Sequence, residues 1–129
     1  MRTLGRINRT TYWLAVAVTV VVAIAVQFVT RTPFQGANFM LLVVAVPRLH
    51  DIGRAGWWAL VVLVLEFAAG MAIGKFLPPA QMMTGIGAIA VLVLALTILV
   101  GSVRGDAGPN RFGAQPADGI SYSADRPAA

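Results

Sequence analysis

The chain contains no cysteine, which excludes disulfide frameworks, thiolate nucleophiles and cysteine-based metal sites together. It is also poor in charge. Asp, Glu, Lys and Arg make up 12% of its 129 residues, against about 25% in an average soluble domain. Acidic residues are the scarcer kind, five against ten Lys and Arg, and there is a single histidine. One histidine beside one carboxylate falls short of the three or four ligands of a zinc site. No metal and no cofactor is therefore expected. What the chain has instead is apolar sequence, with 58% hydrophobic residues and a mean hydropathy of +0.79. The net charge of +5 does not imply a nucleic-acid partner, because the basic residues flank apolar runs and form no separable basic domain. A basic edge facing anionic lipid is the more economical reading.

Four apolar stretches account for most of the length. The first covers 12–30, inside the 21 uncharged residues between Arg9 and Arg31, and about 20 such residues cross a bilayer core as helix. A cleaved signal peptide is the competing reading, since Arg2, Arg6 and Arg9 precede the run and Ala23-Ile24-Ala25 resembles a cleavage site. The run is long for a signal sequence and three more stretches follow, so a retained helix is expected. The second stretch has 16 uncharged residues, 32–47, worth about 24 Å of helix against a core of about 30 Å. A short helix over 33–49 is expected there, with a re-entrant hairpin as the alternative. Pro33 suits a first helical turn, and Pro47 should loosen or kink the end. The third helix is expected over 57–73 and the fourth over 82–103, joined by a tight connection carrying Pro78-Pro79. These readings predict an all-α polytopic membrane protein, with a four-helix domain over 1–116 and a flexible tail over 117–129.

Positive charge orients such a bundle, because Lys and Arg gather on the cytoplasmic side. With four crossings and the N-terminus inside, Arg2, Arg6, Arg9, Arg48, Arg54, Arg104 and Arg111 face the cytoplasm, and Arg31 and Lys75 lie outside. With a re-entrant second segment the bias vanishes. Four crossings with both termini cytoplasmic, in a bacterial inner membrane, is the expected topology.

That topology brings three polar motifs to one membrane face as a cytoplasmic cap: Gly5-Arg6-Ile7-Asn8-Arg9-Thr10-Thr11-Tyr12-Trp13, Pro47-Arg48-Leu49-His50-Asp51-Ile52-Gly53-Arg54-Ala55-Gly56-Trp57-Trp58, and Gly105-Asp106-Ala107-Gly108-Pro109-Asn110-Arg111-Phe112-Gly113-Ala114-Gln115-Pro116. In order and spacing they resemble the small bacterial inner-membrane proteins grouped as the domain-of-unknown-function 805 family, over nearly the whole chain. Pro47, Ala55 and Gln115 depart from that family's pattern, which usually has Arg, Ser and Asp there. The resemblance implies an inner-membrane location and carries no activity.

Read as chemistry, Arg48, Asp51 and Arg54 are spaced so that Asp51 can pair with either guanidinium around a helical turn. One reading is a structural latch, with Asp51 tying the loop to arginines of the other motifs. A second is an anion site for lipid headgroups built from Arg6, Arg9, Arg48, His50, Asp51, Arg54, Asn110 and Arg111, since guanidiniums match phosphate geometry. A third, an enzyme acting on a phosphorylated lipid, uses His50 and Asp51 with Asp106 and Asn110. Of these a non-enzymatic role, with lipid headgroups or a protein as partner, is expected.

Glu66 sits midway along the third helix, where an uncompensated charge costs at least ~2.5 kcal/mol. Small neighbours on its face suggest packing against another helix, with Thr97 or Thr19 as expected partners and Gln27 farther off. A proton- or ion-handling transporter using Glu66 is the runner-up function. Gly70 and Gly74, with Gly85 and Gly87, suggest close helix contacts and leave a homo-oligomer open.

Overall fold

The computed structural model describes residues 5–31 and 36–123. Four helices dominate it: α1 (Arg9–Thr30), α2 (Gly36–Asp51), α3 (Trp57–Phe76) and α4 (Pro79–Ser102). Two short strands, β1 (Arg6–Ile7) and β2 (Tyr122–Ser123), pair antiparallel, with Arg6 opposite Ser123 and Ile7 opposite Tyr122.

Each boundary has a local cause. Asn8 caps α1 by accepting the Thr11 N–H at 2.8 Å, which satisfies one of the orphan donors of the first turn. Proline at the first position of α4 sacrifices a donor that would have been unpaired anyway. Only residues 77 and 78 separate α3 from α4, so the connection is tighter than the sequence suggested. At the end of α2, Gly53 takes a positive φ of 71°. Its N–H reaches His50 O at 3.2 Å, and the Arg54 N–H reaches Leu49 O at 2.8 Å. This pair of bonds is a Schellman closure, which favours glycine at the left-handed residue. Pro47 lies inside α2 and does not end it.

Burial in this molecule is inverted relative to a water-soluble domain. Phe28, Val29, Phe39, Phe67, Phe76, Met83 and Val91 are exposed, whereas the best-hidden side chains include Arg6, Arg48 and Asp51. Exposed apolar surface on this scale calls for an apolar solvent. α1, α3 and α4 are each long and apolar enough to cross a membrane. α2, at 16 residues, is about 24 Å long and falls about 6 Å short of a typical hydrocarbon core. It nonetheless returns the chain to where α1 began, because Asp51 at its end pairs with Arg6 just ahead of α1.

Gly101 on α4 marks the tightest helix contact. A β-carbon there would lie 2.5 Å from Trp13 Cζ2 and 2.8 Å from Tyr12 Cε1, so only a hydrogen side chain lets α1 and α4 converge. Tyr12 completes the contact, its hydroxyl donating to Thr97 O at 3.0 Å. Gly85 packs within the chain against Ile73 and Leu77, while Gly70, Gly74 and Gly87 have nothing within 4 Å of an added β-carbon.

Residues 117–123, the start of the tail expected to be flexible, carry side-chain and backbone bonds to the start of α1. Asn8 Nδ2 donates to Ala117 O at 2.7 Å and Gly119 O at 2.6 Å, and Thr11 exchanges two bonds with the Ser121 backbone. The polar composition that reads as disorder supplies turns here, because one capping asparagine gathers the carbonyls of the segment. The rest of the expected tail, 124–129, lies outside the described residues.

Candidate functional site

The three motifs converge at one pole of the bundle, around Asp51. Arg6 Nε and Nη2 both donate to Asp51 Oδ1, at 3.2 and 3.0 Å, and Arg48 Nη1 donates to Oδ2. The remaining donors of Arg6 go to main-chain carbonyls of the third motif: Nη1 to Gly108 O at 2.8 Å and Gly113 O at 3.2 Å, and Nη2 to Asp106 O at 2.8 Å. A guanidinium has five N–H groups, and Arg6 spends all of them inside the molecule. Arg6 exposes 0% of its surface, Arg48 1% and Asp51 3%.

Arg48 has a second task. Its Nε donates to Val100 O at 3.3 Å and its Nη2 to Val103 O, and Arg9 Nη2 donates to Ser102 O at 2.8 Å. These are carbonyls at the C-terminal end of α4, which lack partners within the helix and carry its negative dipole end. Two arginines from other elements therefore cap α4, and the same Arg48 ties that cap to Asp51.

Asp51 also accepts the Asp106 N–H through its main-chain oxygen, at 2.7 Å. Gly105 makes this approach feasible, because a β-carbon there would overlap Asp51 Oδ2 and lie 2.8 Å from Cγ. Asp51 stands one turn beyond the apolar part of α2 that ends at Pro47. Burial pushes its carboxyl above the ordinary carboxylate range, while the bonds from Arg6 and the charge of Arg48 pull against that rise.

The other residues of the motifs build a frame around this centre. The His50 ring stacks on Phe112 with centroids 4.0 Å apart and planes 7° apart, and its Nδ1 lies 3.3 Å from Gly5 O. Asn110 Nδ2 donates to His50 O at 2.9 Å and to Asp106 Oδ2 at 3.0 Å. Arg111 covers the outer face of Phe112 at 4.6 Å from the ring centroid and donates to Gly53 O at 3.2 Å. Of the residues singled out from sequence, Arg6, Arg48, His50, Asp51 and Asn110 are thus in one bonded network. Arg9 and Arg111 are exposed and hold main-chain carbonyls at its edge. The Arg54 side chain is exposed and has no hydrogen bond or ion pair among the described residues.

Sequence reasoning missed the carbonyls. The acceptors at Val100, Val103, Asp106, Gly108 and Gly113 carry no side-chain signal, and only the glycines at 105, 108 and 113 marked where backbone comes close. It also missed the partner of Glu66. Asn38 on α2 donates to Glu66 Oε1 at 2.6 Å, whereas the expected Thr19 and Thr97 turn their hydroxyls back to Ala15 O and Val93 O, one turn earlier in their own helices. A threonine in an apolar helix can satisfy its hydroxyl on the carbonyl one turn back, and both expected partners do so, while the longer carboxamide of Asn38 reaches across to the acid.

These features define a multi-pass helical membrane protein with a buried arginine–aspartate knot at one pole. The chain belongs to the DUF805 family: the family model, described as a protein of unknown function, matches residues 1–114. No curated protein and no solved structure matches it.

Proposed function

We propose that this chain is a non-enzymatic protein of the bacterial inner membrane that crosses four times with both termini in the cytoplasm. In this reading the Arg/His/Asp cluster latches the bundle, and exposed arginines around it hold anionic lipid headgroups. The observation that carries it is the complete internal use of Arg6. A guanidinium with five internal bonds is a structural tie and has no donor left for a ligand. The latch also accounts for Asp51, both of whose oxygens are engaged, and for the stacking of His50, which leaves neither arranged as a catalytic pair.

Charge supports the topology. Arg6, Arg9, Arg48, Arg54, Arg104 and Arg111 all belong to the pole where α1 begins and α4 ends, while Arg31 and Lys75 lie at the far ends of α1 and α3. That asymmetry favours a cytoplasmic pole. α2 makes the fourth crossing at modest cost if arginines at its ends reach out to the interfaces and the bilayer thins. Reporter tags on either terminus and on the 52–56 connection should all respond from the cytoplasmic side. Tags that report from opposite sides would end this topology.

The headgroup reading rests on guanidiniums left over once the latch is built. The Arg54 and Arg104 side chains are exposed and have no partner among the described residues, and Arg111 is exposed and makes one edge bond, to Gly53 O. Each Arg near an anionic surface contributes about 1 kcal/mol. Arg54→Ala combined with Arg111→Ala should therefore weaken phosphatidylglycerol retention roughly 30-fold, read by native mass spectrometry in mild detergent, with the melting temperature unchanged. Equal lipid retention in both proteins would remove headgroup binding and leave the latch.

A further inference from the structure

We infer that the interhelical cleft around Glu66 is a binding site for a lipophilic monovalent cation. Glu66 lies near the middle of α3, between Trp57 and Phe76, at the depth where a bilayer is driest. Its Oε1 accepts from Asn38, and its Oε2 has no partner among the described residues. The ion pairs in those residues, Arg6–Asp51 and Arg48–Asp51, are both at the pole. An acid in the membrane-spanning region thus keeps one oxygen open and has no cation beside it. Intramembrane acids without a structural counter-charge are characteristic of ligand and ion sites.

The space around that oxygen has the right chemistry. Three cavities, of about 260, 460 and 420 Å³, are each lined by both Asn38 and Glu66. The first runs toward the pole past Tyr12 and Trp58, the second lies against Leu41 and Ala90, and the third passes Phe67 and Met71. Apart from the Glu66–Asn38 pair their walls are almost wholly apolar. Cavities of this scale are typical of sites for small organic molecules, where apolar walls supply affinity and a few polar groups fix orientation. A neutral lipid tail would satisfy the walls and leave the acid unpaired. A strongly hydrated metal ion would satisfy the acid and shed its water against hydrocarbon. An organic cation with apolar substituents meets both demands, and Tyr12 and Trp58 line the first cavity and Phe67 the third, aromatic side chains being ones that attract such cations.

The test uses tetraphenylphosphonium and the full-length protein in mild detergent, with binding followed by equilibrium dialysis. Saturable binding at one site per chain is expected, at least tenfold weaker for Glu66→Gln and for neutral triphenylphosphine oxide. Leu41→Trp, which fills the cleft and keeps the carboxylate, should also weaken binding at least tenfold. Should Glu66→Gln fail to fold, as judged by helical circular dichroism, the neutral probe and Leu41→Trp decide alone. Equal affinity for cation and neutral probe, equal affinity in folded Glu66→Gln, or no saturable binding by the wild type overturns the site and leaves Glu66–Asn38 a helix contact. The site is independent of the pole, so Arg54→Ala with Arg111→Ala leaves this binding unchanged whatever it does to lipid.

Discussion

Asp51→Ala is expected to loosen the whole polar end of the bundle, lowering stability by about 3–5 kcal/mol, the usual cost of removing one partner from a buried ion pair. The reason lies in what stays behind. Arg6 and Arg48 expose 0% and 1% of their surface, so both guanidiniums would remain buried without their anion. The effect should appear as a lower melting temperature in mild detergent and as loss of protection from proteolysis after residue 103, since Asp51 is also the side chain that links Arg6 to the Arg48 cap on α4. Asp51→Asn keeps the shape and one acceptor oxygen but loses the charge, and should fall between wild type and Asp51→Ala. Exchanging all three ionic residues for apolar ones can be neutral in a simple buried triad. That rescue should fail here. Removing Arg6 orphans the carbonyls of Asp106 and Gly108, while Gly113 O keeps the Asn110 N–H, at about 1–3 kcal/mol for each one left buried and unpaired. A melting temperature for Asp51→Ala equal to the wild type would remove the latch from the account.

The second large effect needs no change of charge. Gly105→Ala adds one methyl group at a point where it would overlap Asp51 Oδ2 and sit 2.8 Å from Cγ. Two arginines hold the carboxylate from both sides, so it cannot turn away cheaply. The 105–106 backbone has to retreat instead, taking with it the Asp106 N–H bond to Asp51 O and the Asp106 O acceptor for Arg6. Overpacking alone costs about 1–3 kcal/mol, and each of the two bonds adds about 0.5–1.5 kcal/mol, or more where Arg6 is the donor. Gly87→Ala is the matched control, because nothing lies within 4 Å of an added β-carbon there. It should melt no lower than the wild type, since alanine is the better helix former. If Gly105→Ala melts with Gly87→Ala, the close approach of the third motif to Asp51 is not a working contact.

The two predictions separate what each level of description contributes. Three membrane-length helices were readable from hydropathy because hydrocarbon tolerates neither charge nor unpaired backbone over about 20 residues. The 21-residue gap between Arg9 and Arg31 leaves α1 few alternatives. Membership of the family was readable from the same kind of signal, three polar motifs in fixed order. α2 was harder, as its length alone sits between a crossing and a hairpin, and residues 32–35 before it lie outside the described residues. The candidate site was half readable. Spacing on one helix turn identified Asp51 with Arg48, since i, i+3 neighbours must be close. It also offered Arg54, which the structure leaves exposed because the Schellman turn at Gly53 points the chain away from the carboxylate.

Composition and the order of apolar runs were thus sufficient to settle the solvent this chain folds in and the ends of its helices at which polar residues collect, because burial of charge in hydrocarbon is costly enough to admit few solutions. Tertiary packing alone chose Arg6 as the partner of Asp51 across 45 residues, Asn38 as the partner of Glu66, and the backbone carbonyls that absorb the remaining guanidinium donors. Those choices depend on distances of a few tenths of an ångström between elements far apart in the chain. Residue types do not encode them, since every backbone carbonyl looks alike until folding brings one to an arginine.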